Sequence, residues 1–327
     1  MHSDFKIVSG GVHEEFARNV AKGLGRELVD IELKRFANGE RYARFCESIR
    51  RDNLFIIQSF AEINGYSLND ALVETLLIVD AARRASAGEI TVIFPYFPYA
   101  RQDRKARNRE PISVAVIIRM LEMVGVDRVV SVDLHSAQTQ AIFDGPFDHL
   151  IARPLIIDAL TELVKGSQDY VVVSPDAGRA KESEQYADEL GLQLVHMPKT
   201  RDKHESSKIS RPDFIEGIEG KNCIVIDDMI DTGGTIMSAA ETMKKSGARS
   251  ITVCATHGIL SNGAAEKFAD SAIDALYLAN TIPQDENLKF LKSKLQVLSI
   301  EPLIAESIRR MEAGESLSML FNDRNHK

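Results

Sequence analysis

Short apolar runs alternate along this chain with longer stretches in which apolar residues recur every third or fourth position. The runs "FKIV", "NLFIIQSF", "EITVIFPYF" and "RVVSVDL" predict strands in the first half, and "YVVVSP", "QLVHM", "NCIVID", "SITVCATH" and "DALYLAN" predict strands in the second. Between them, stretches such as "SVAVIIRMLEMVG" and "ESEQYADELG" have the period of amphipathic helices. Strands that are apolar throughout, without polar alternation, are buried on both faces. Their alternation with helices therefore predicts parallel sheets flanked by helices, an α/β fold. One segment breaks the rule: "RFANGERYARF" places Asn38-Gly39 between two extended runs and predicts a β-hairpin.

The pattern is written twice. "VSGGVHEEFARNVAKGLGRELVDIELKRFANGE" aligns with "VSPDAGRAKESEQYADELGLQLVHMPKTRDKHE" with one gap, and "NDALVETLLIVDAARRASAGEITVIFPYF" aligns with "GGTIMSAAETMKKSGARSITVCATHG". Identities are few, but the spacing from strand to helix to glycine to strand is kept. This predicts an internal duplication: a first domain over 1–150, a second over 151–301, and a junction in "GPFDHLIARP" near 145–155. The last helical stretch, about 302–320, packs back on one of the two, with the first as the expectation.

Composition narrows the setting. At 327 residues the chain has room for two ordinary domains. A formal charge of −8 supplies no basic field for nucleic acid. No run is apolar enough to span a membrane, and the start "MHSDFKIVSGG" has no apolar signal core. Cys46, Cys223 and Cys254 form no CxxC pair, and the last two fall in predicted strands. They read as buried thiols of a cytoplasmic protein rather than as a metal or disulfide framework.

The most informative stretch is "CIVIDDMIDTGGTIMSAAETM". In an open parallel sheet, ligands sit beyond the carboxyl ends of the strands. Asp227 and Asp228 leave the strand there. The turn Asp231, Thr232, Gly233, Gly234 and Thr235 then opens a helix, with backbone N–H groups and two hydroxyls available to an anion. Gly233 and Gly234 allow close approach of a phosphate. Carboxylates repel phosphate but accept hydrogen bonds from vicinal hydroxyls, so one ligand satisfies both halves: ribose 5-phosphate. A plain helix N-cap after a strand ending in acids accounts for the cap alone.

Other segments carry less on their own. "FPYFPYARQDRKARNREPIS" crowds cations after a strand, with Arg101 and Gln102 nearest the strand end; a planar guanidinium fork suits polyphosphate, and a solvated basic loop is the plainer alternative. "VVSVDLHSAQTQAIFDG" ends a strand with Asp133 and His135, where a lone histidine is more often structural than a ligand. Asp176 sits in a Pro-Asp-Ala-Gly turn, which needs no ligand to explain it. "HMPKTRDKHESSKISRPDF" is polar and charged over more than ten positions and reads as a loop containing Lys199 and Arg201.

The Asp227 to Thr235 motif resembles the phosphoribosyl-diphosphate-binding signature of type I phosphoribosyltransferases. The segments "RFANGE", "FPYFPYARQDRKARNREPIS", "SVDLHSAQTQAIFDGPFDHL" and "KTR" extend the likeness, from about Lys6 to Phe321, to the phosphoribosyl pyrophosphate synthetase (ribose-phosphate diphosphokinase) family. The resemblance implies two duplicated phosphoribosyltransferase-like domains, an ATP side first and a ribose 5-phosphate side second. It also implies transfer of diphosphate from Mg-ATP to the sugar's C1 hydroxyl. In that family Phe36, Asn38, Gly39 and Glu40 would hold adenine from a neighbouring subunit, Arg101 and Gln102 would bind ATP, and His135 and Asp176 would meet Mg2+. Lys199 and Arg201 would be catalytic, with Arg201 also meeting ribose 5-phosphate beside Asp227, Asp228, Asp231, Thr232, Gly233, Gly234 and Thr235. Ser48, Arg50, Ser86, Ser316 and Ser318 would form a site for phosphate and ADP in a homohexamer. Three positions depart from the family: Asn38 where an acid is usual, Arg179 where a second glycine is usual, and Ala115 near a usual basic residue. A non-catalytic regulatory subunit and a phosphoribosyltransferase are the competing readings. The complete N-terminal half opposes the second, and the presence of Lys199, Arg201, His135 and Asp176 opposes the first.

Overall fold

The computed structural model describes residues 5–63, 65–175, 178–197, 200–201, 209–210 and 214–322. It divides into two compact units, one of Met1–Ala152, Thr281–Pro283 and Ser299–Lys327, the other of Arg153–Asn280 and Gln284–Leu298.

The first unit begins with β1 (Phe5–Ser9), α1 (Glu14–Gly23), β2 (Ile31–Arg35), β3 (Arg41–Phe45), β4 (Asn53–Ile57) and α2 (Leu68–Arg84). It continues with β5 (Ile90–Phe94), α3 (Ser113–Val124), β6 (Arg128–Val132) and β7 (Phe147–Leu150). Its sheet has the order β1-β4-β5-β6-β7, with every pairing parallel. All five residues of β5 are buried, as expected of a central strand covered on both faces. A one-residue parallel bridge joins Ile7 to Leu28 on the outer side of β1. Strands β2 and β3 form the expected antiparallel hairpin outside this sheet. The stretch expected as an interdomain junction is partly strand, because β7 closes the far edge of the first sheet.

The second unit contains α4 (Arg153–Val164), β8 (Tyr170–Ser174), α5 (Ala180–Leu190), β9 (Gln193–His196), β10 (Thr200–Arg201), β11 (Ile209–Ser210) and β12 (Asn222–Ile230). After these come α6 (Gly234–Lys245), β13 (Ser250–Gly258), α7 (Ala264–Ala269), β14 (Ala275–Ala279), α8 (Asp285–Leu291) and β15 (Leu295–Leu298). Its six-stranded parallel sheet runs β15-β14-β13-β12-β8-β9. Side chains alternate between the two faces. Val171, Val173, Cys223 and Val225 pack with Ile236, Met243 and Phe268, whereas Val172, Ile224, Ile226 and Cys254 pack with Ile156, Leu160 and Tyr186. Cys223 and Cys254 are buried as expected; Cys46, just past β3, is exposed because the hairpin stands outside the sheet core.

With Leu28 counted as a rudimentary strand, both sheets have the same spatial order: second strand, first, third, fourth, fifth, sixth. The order reverses direction between the first and third strands, which is where an open α/β sheet leaves a crevice at its carboxyl edge. That crevice lies between β1 and β4 in the first unit and between β8 and β12 in the second. The last elements, α9 (Glu301–Ala313) and α10 (Met319–Asn322), belong to the first unit, where α9 lies against α1. Asn19 Nδ2 donates to Glu301 Oε1 at 3.4 Å, and Asn53 Nδ2 donates to Glu312 Oε1 at 3.2 Å. Among the described residues no helix is long and apolar enough to cross a membrane.

Candidate functional site

The second unit's crevice is built by unequal pairing of one strand. β12 pairs with β13 from Asn222–Ser250 as far as Ile230–Gly258. Its pairing with β8 stops at Val225–Val173. Beyond Val225 the strand therefore has a neighbour on one side only, and Asp227 and Asp228 stand at the opening. Asp228 is buried at 5% exposure, and Asp227 Oδ1 accepts from the Asp228 backbone N–H at 2.9 Å.

The turn after β12 has the features its sequence predicts. Gly233 adopts φ +71°, and α6 begins at the next residue with no side-chain cap on its first-turn N–H groups. That leaves donors at a helix N-terminus, where the dipole favours an anion. Thr232, Gly234 and Thr235 are exposed there. Asp231 is oriented by the Ser261 hydroxyl, which donates to its Oδ1. Ser261 has no signal in the sequence motif, since it arrives from the segment after β13.

Arg179 changes the electrostatics of this crevice. It precedes α5, and its Nε forms an ion pair with Asp227 Oδ1 at 3.0 Å while Nη2 pairs with Asp228 Oδ1. Nη1 donates to Glu182 Oε2 at 3.1 Å. Burial alone would lower the guanidinium pKa, but Asp228, Asp227 and Glu182 together raise it further. Burial pushes the Asp227 carboxyl well above the usual carboxylate range, Arg179 opposes that, and neighbouring Asp228 adds to it. Among the described residues, Arg179 thus spans both crevice carboxylates, Asp227 and Asp228.

In the first unit, the carboxyl ends of the adjacent strands β5 and β6 lead to the segments carrying Arg101, Gln102 and His135. Arg101 and Gln102 are exposed; the Gln102 backbone N–H donates to Tyr99 O at 3.1 Å, and its side chain meets the Ser113 hydroxyl at the start of α3. His135 is exposed beyond β6. The turn before it is held from three sides: Asp133 N–H donates to Leu150 O at 2.9 Å, Ala152 N–H donates to the Asp133 carboxylate at 3.3 Å, and Leu134 N–H donates to His149 Nε2 at 2.9 Å. Among the described residues no cluster of three His, Cys, Asp or Glu could hold a metal. Magnesium carried on nucleotide phosphates needs only one or two protein donors, a share that an exposed His135 beside Asp133 fits.

The hairpin tip is a three-residue loop rather than a two-residue turn. Phe36 N–H donates to Glu40 O at 2.8 Å, and Gly39 takes φ +96°. Asn38 Oδ1 accepts from Glu40 N–H at 3.2 Å, so this side chain is used inside the loop. Phe36 is 49% exposed and meets Tyr42 edge-on at 5.8 Å.

Of the expected regulatory residues, Ser48, Arg50 and Ser86 lie elsewhere. Ser48 and Arg50 precede β4 and Ser86 precedes β5, at the amino edge of the first sheet, away from Arg101 and His135. Ser48 O accepts from Lys6 Nζ at 2.8 Å, and Ser86 O from Arg51 N–H at 2.9 Å. Ser316 and Ser318 follow α9 with their hydroxyls 2.6 Å apart. A cavity of about 770 Å³ also opens at this amino edge, between Phe5, Asn53, Thr91 and Arg128 and the end of α9. It does not coincide with either carboxyl-edge group. Asp176 and Lys199 lie outside the described residues. Arg201 belongs to β10, which pairs antiparallel with β11 through Thr200–Ser210 and Arg201–Ile209.

Comparison with known proteins places the chain in a family. The family described as the N-terminal domain of ribose phosphate pyrophosphokinase matches residues 5–125, and the phosphoribosyl synthetase-associated domain matches residues 204–322. A ribose-phosphate pyrophosphokinase of Corynebacterium efficiens is 42% identical over 326 residues, covering 98% of this chain and 96% of that one. Its counterpart in Streptomyces coelicolor is 42% identical over 315 residues, 96% of this chain and 95% of that one. The crystal structure of phosphoribosylpyrophosphate synthetase from Mycobacterium smegmatis superposes with a TM-score of 0.86 at 41% identity, covering 95% of this chain and all of that one. Matched in both sequence and fold over almost its whole length, this chain belongs to the ribose-phosphate pyrophosphokinase family.

Proposed function

We propose that this chain transfers the diphosphoryl group of Mg-ATP to the C1 hydroxyl of ribose 5-phosphate, giving 5-phosphoribosyl 1-diphosphate and AMP for nucleotide biosynthesis. The observation that carries this reading is the crevice at β12. It combines paired carboxylates with an uncapped helix N-terminus in a chain that matches its relatives over both halves.

The sugar's C1 oxygen forms a bond to the β-phosphorus. The bond from that phosphorus to the α,β-bridging oxygen breaks, and AMP leaves with the bridging oxygen and the electron pair. The hydroxyl proton passes to solvent or to the departing phosphate. Asp227 and Asp228 accept hydrogen bonds from the ring hydroxyls and orient the sugar. Asp231, Thr232, Gly233, Gly234 and Thr235 hold its 5-phosphate through backbone N–H groups and hydroxyls. Arg101 and Gln102 bind the ATP phosphates, and Phe36, Asn38, Gly39 and Glu40 hold adenine. Lys199 and Arg201 neutralise charge gathering on the transferring group, the largest contribution positively charged donors make to such a reaction. His135 and Asp176 are the residues that would hold Mg2+, whose charge screens the phosphate oxygens when bound. Positioning and charge suffice without a strong general base.

By the same reading the working form is a cytoplasmic homohexamer. Each hairpin serves a neighbouring subunit, and Ser48, Arg50, Ser86, Ser316 and Ser318 receive phosphate or ADP. Residues 1–150 form the ATP side and 151–301 the sugar side. Phosphorus NMR of the purified protein with Mg2+, ATP and ribose 5-phosphate tests the reaction. Appearance of AMP with a sugar-linked diphosphate is expected; unchanged ATP in phosphate-containing buffer overturns it.

A further inference from the structure

Three nitrogens of Arg179 each face a carboxylate: Nε toward Asp227, Nη2 toward Asp228 and Nη1 toward Glu182. The side chain is only 22% exposed, and those of Asp227 and Asp228 are 21% and 7% exposed. The guanidinium therefore occupies Oδ1 of both aspartates at the open side of β12. Sugar hydroxyls need those same lone pairs through the same opening. A planar fork that donates to two carboxylates at once is also a better partner than water. Removing a cation from such a site is opposed by the charge left behind, so the contact persists until another donor replaces it.

We infer that Arg179 is a built-in occupant of the sugar-hydroxyl clamp: in the unliganded protein it holds Asp227 and Asp228 in the ligand's place, and a phosphorylated sugar binds by displacing it. The inference rests on the ribose 5-phosphate reading of this crevice. Arg179 then sets sugar affinity. Occupancy of the clamp carries a fixed penalty, which a sugar offering a cis-diol and a 5-phosphate together overcomes more readily than one offering either alone. The position is suited to this, because Arg179 immediately precedes α5 and a small rotation of its long side chain swings the guanidinium out toward Glu182, which is 37% exposed.

The test uses the full chain with Mg2+ and no ATP. Ribose 5-phosphate is titrated calorimetrically into wild type, R179G and R179K, with thermal unfolding run on each. R179G is expected to bind about tenfold more tightly, the equivalent of one charge-assisted hydrogen bond no longer broken on entry. R179K is expected to gain less than R179G, because a lysine ammonium still occupies the clamp, although as a point cation it cannot bridge both carboxylates. A second readout needs no folded R179G. In wild type labelled on arginine nitrogens, the Nε–H resonance absent from R179K is expected to move to a solvent-exposed position on addition of ribose 5-phosphate. A resonance unmoved at saturating ribose 5-phosphate overturns the inference, whatever the affinities, and makes Arg179 a permanent partner of the aspartates. Absence of ribose 5-phosphate binding in all three proteins overturns both the inference and the reading beneath it. Binding of ribose 5-phosphate to wild type with an unmoved resonance overturns the inference alone.

Discussion

The Tyr66 phenol donates a hydrogen bond of 2.8 Å to Oε2 of Glu74, a carboxylate with no solvent exposure. The other carboxylate oxygen accepts from Gly11 N–H at 2.8 Å and from Gln58 Nε2 at 3.0 Å. These groups sit at the crevice between β1 and β4, the first unit's counterpart of the sugar clamp. A Cβ added at Gly11 would lie 1.9 Å from the Tyr66 oxygen, and one at Gly10 would lie 2.3 Å from the Gln58 amide. The duplicated crevice is thus packed with the chain's own side chains where the second unit presents an open turn. Burial and the adjacent Glu74 raise the Tyr66 pKa, which keeps the phenol a donor. Tyr66→Phe removes one of three donors from a buried carboxylate and is expected to destabilise the fold by about 1–3 kcal/mol. Urea unfolding measures that loss. The KM for ribose 5-phosphate is expected to stay unchanged, and a rise would mean that the first crevice also takes sugar phosphate.

Two neighbouring glycines separate folding from binding. Gly233 has φ +71°, and a Cβ there would come within 2.3 Å of Cε2 of Phe268, itself fully buried. Gly233→Ala therefore combines left-handed backbone strain with overpacking and is expected to lower stability by roughly 2–4 kcal/mol. A Cβ at Gly234 meets nothing within 4 Å, and no left-handed φ is required. Gly234→Ala is expected to leave thermal unfolding unchanged or slightly raised, since alanine is the better helix former. The methyl group would nevertheless stand over the exposed first turn of α6 and weaken ribose 5-phosphate binding. Normal affinity in Gly234→Ala would mean that the phosphate does not approach this turn closely.

The hydrophobic pattern made nearly every long element legible, because buried parallel strands and amphipathic helices differ in period. The duplication was legible as spacing. β7 was not, because "FDHL" is an edge strand with two polar residues and reads as linker. The packing of α9 on α1 was not fixed either, since an amphipathic face does not name its partner. At the site, Asp227, Asp228 and the turn at 231–235 could be read locally because strand, turn and helix are contiguous. The ion pairs of Arg179 could not. They depend on β8 releasing β12 after Val225, a consequence of sheet register rather than of neighbouring sequence. Ser261 reaches Asp231 from a distant segment for the same reason.

His149 links pH to the loop that carries His135. Its Nε2 accepts from Leu134 N–H at 2.9 Å, so that nitrogen bears no proton in the folded protein. Burial lowers the imidazole pKa from 6.5 to about 4. Between those values the unfolded chain binds a proton that the folded chain does not, so unfolding is favoured as pH falls. The contribution is fully present above pH 6.5 and is lost progressively down to about pH 4, by up to roughly 3 kcal/mol. His149→Gln keeps an acceptor at similar reach without a titrating group. Urea unfolding of wild type and His149→Gln across this range is expected to show the wild type losing its advantage as pH falls, by the slope of one proton. Parallel pH profiles would mean that His149 is charged or solvated when folded. Either would break the hydrogen bond that orients the Asp133 to His135 turn.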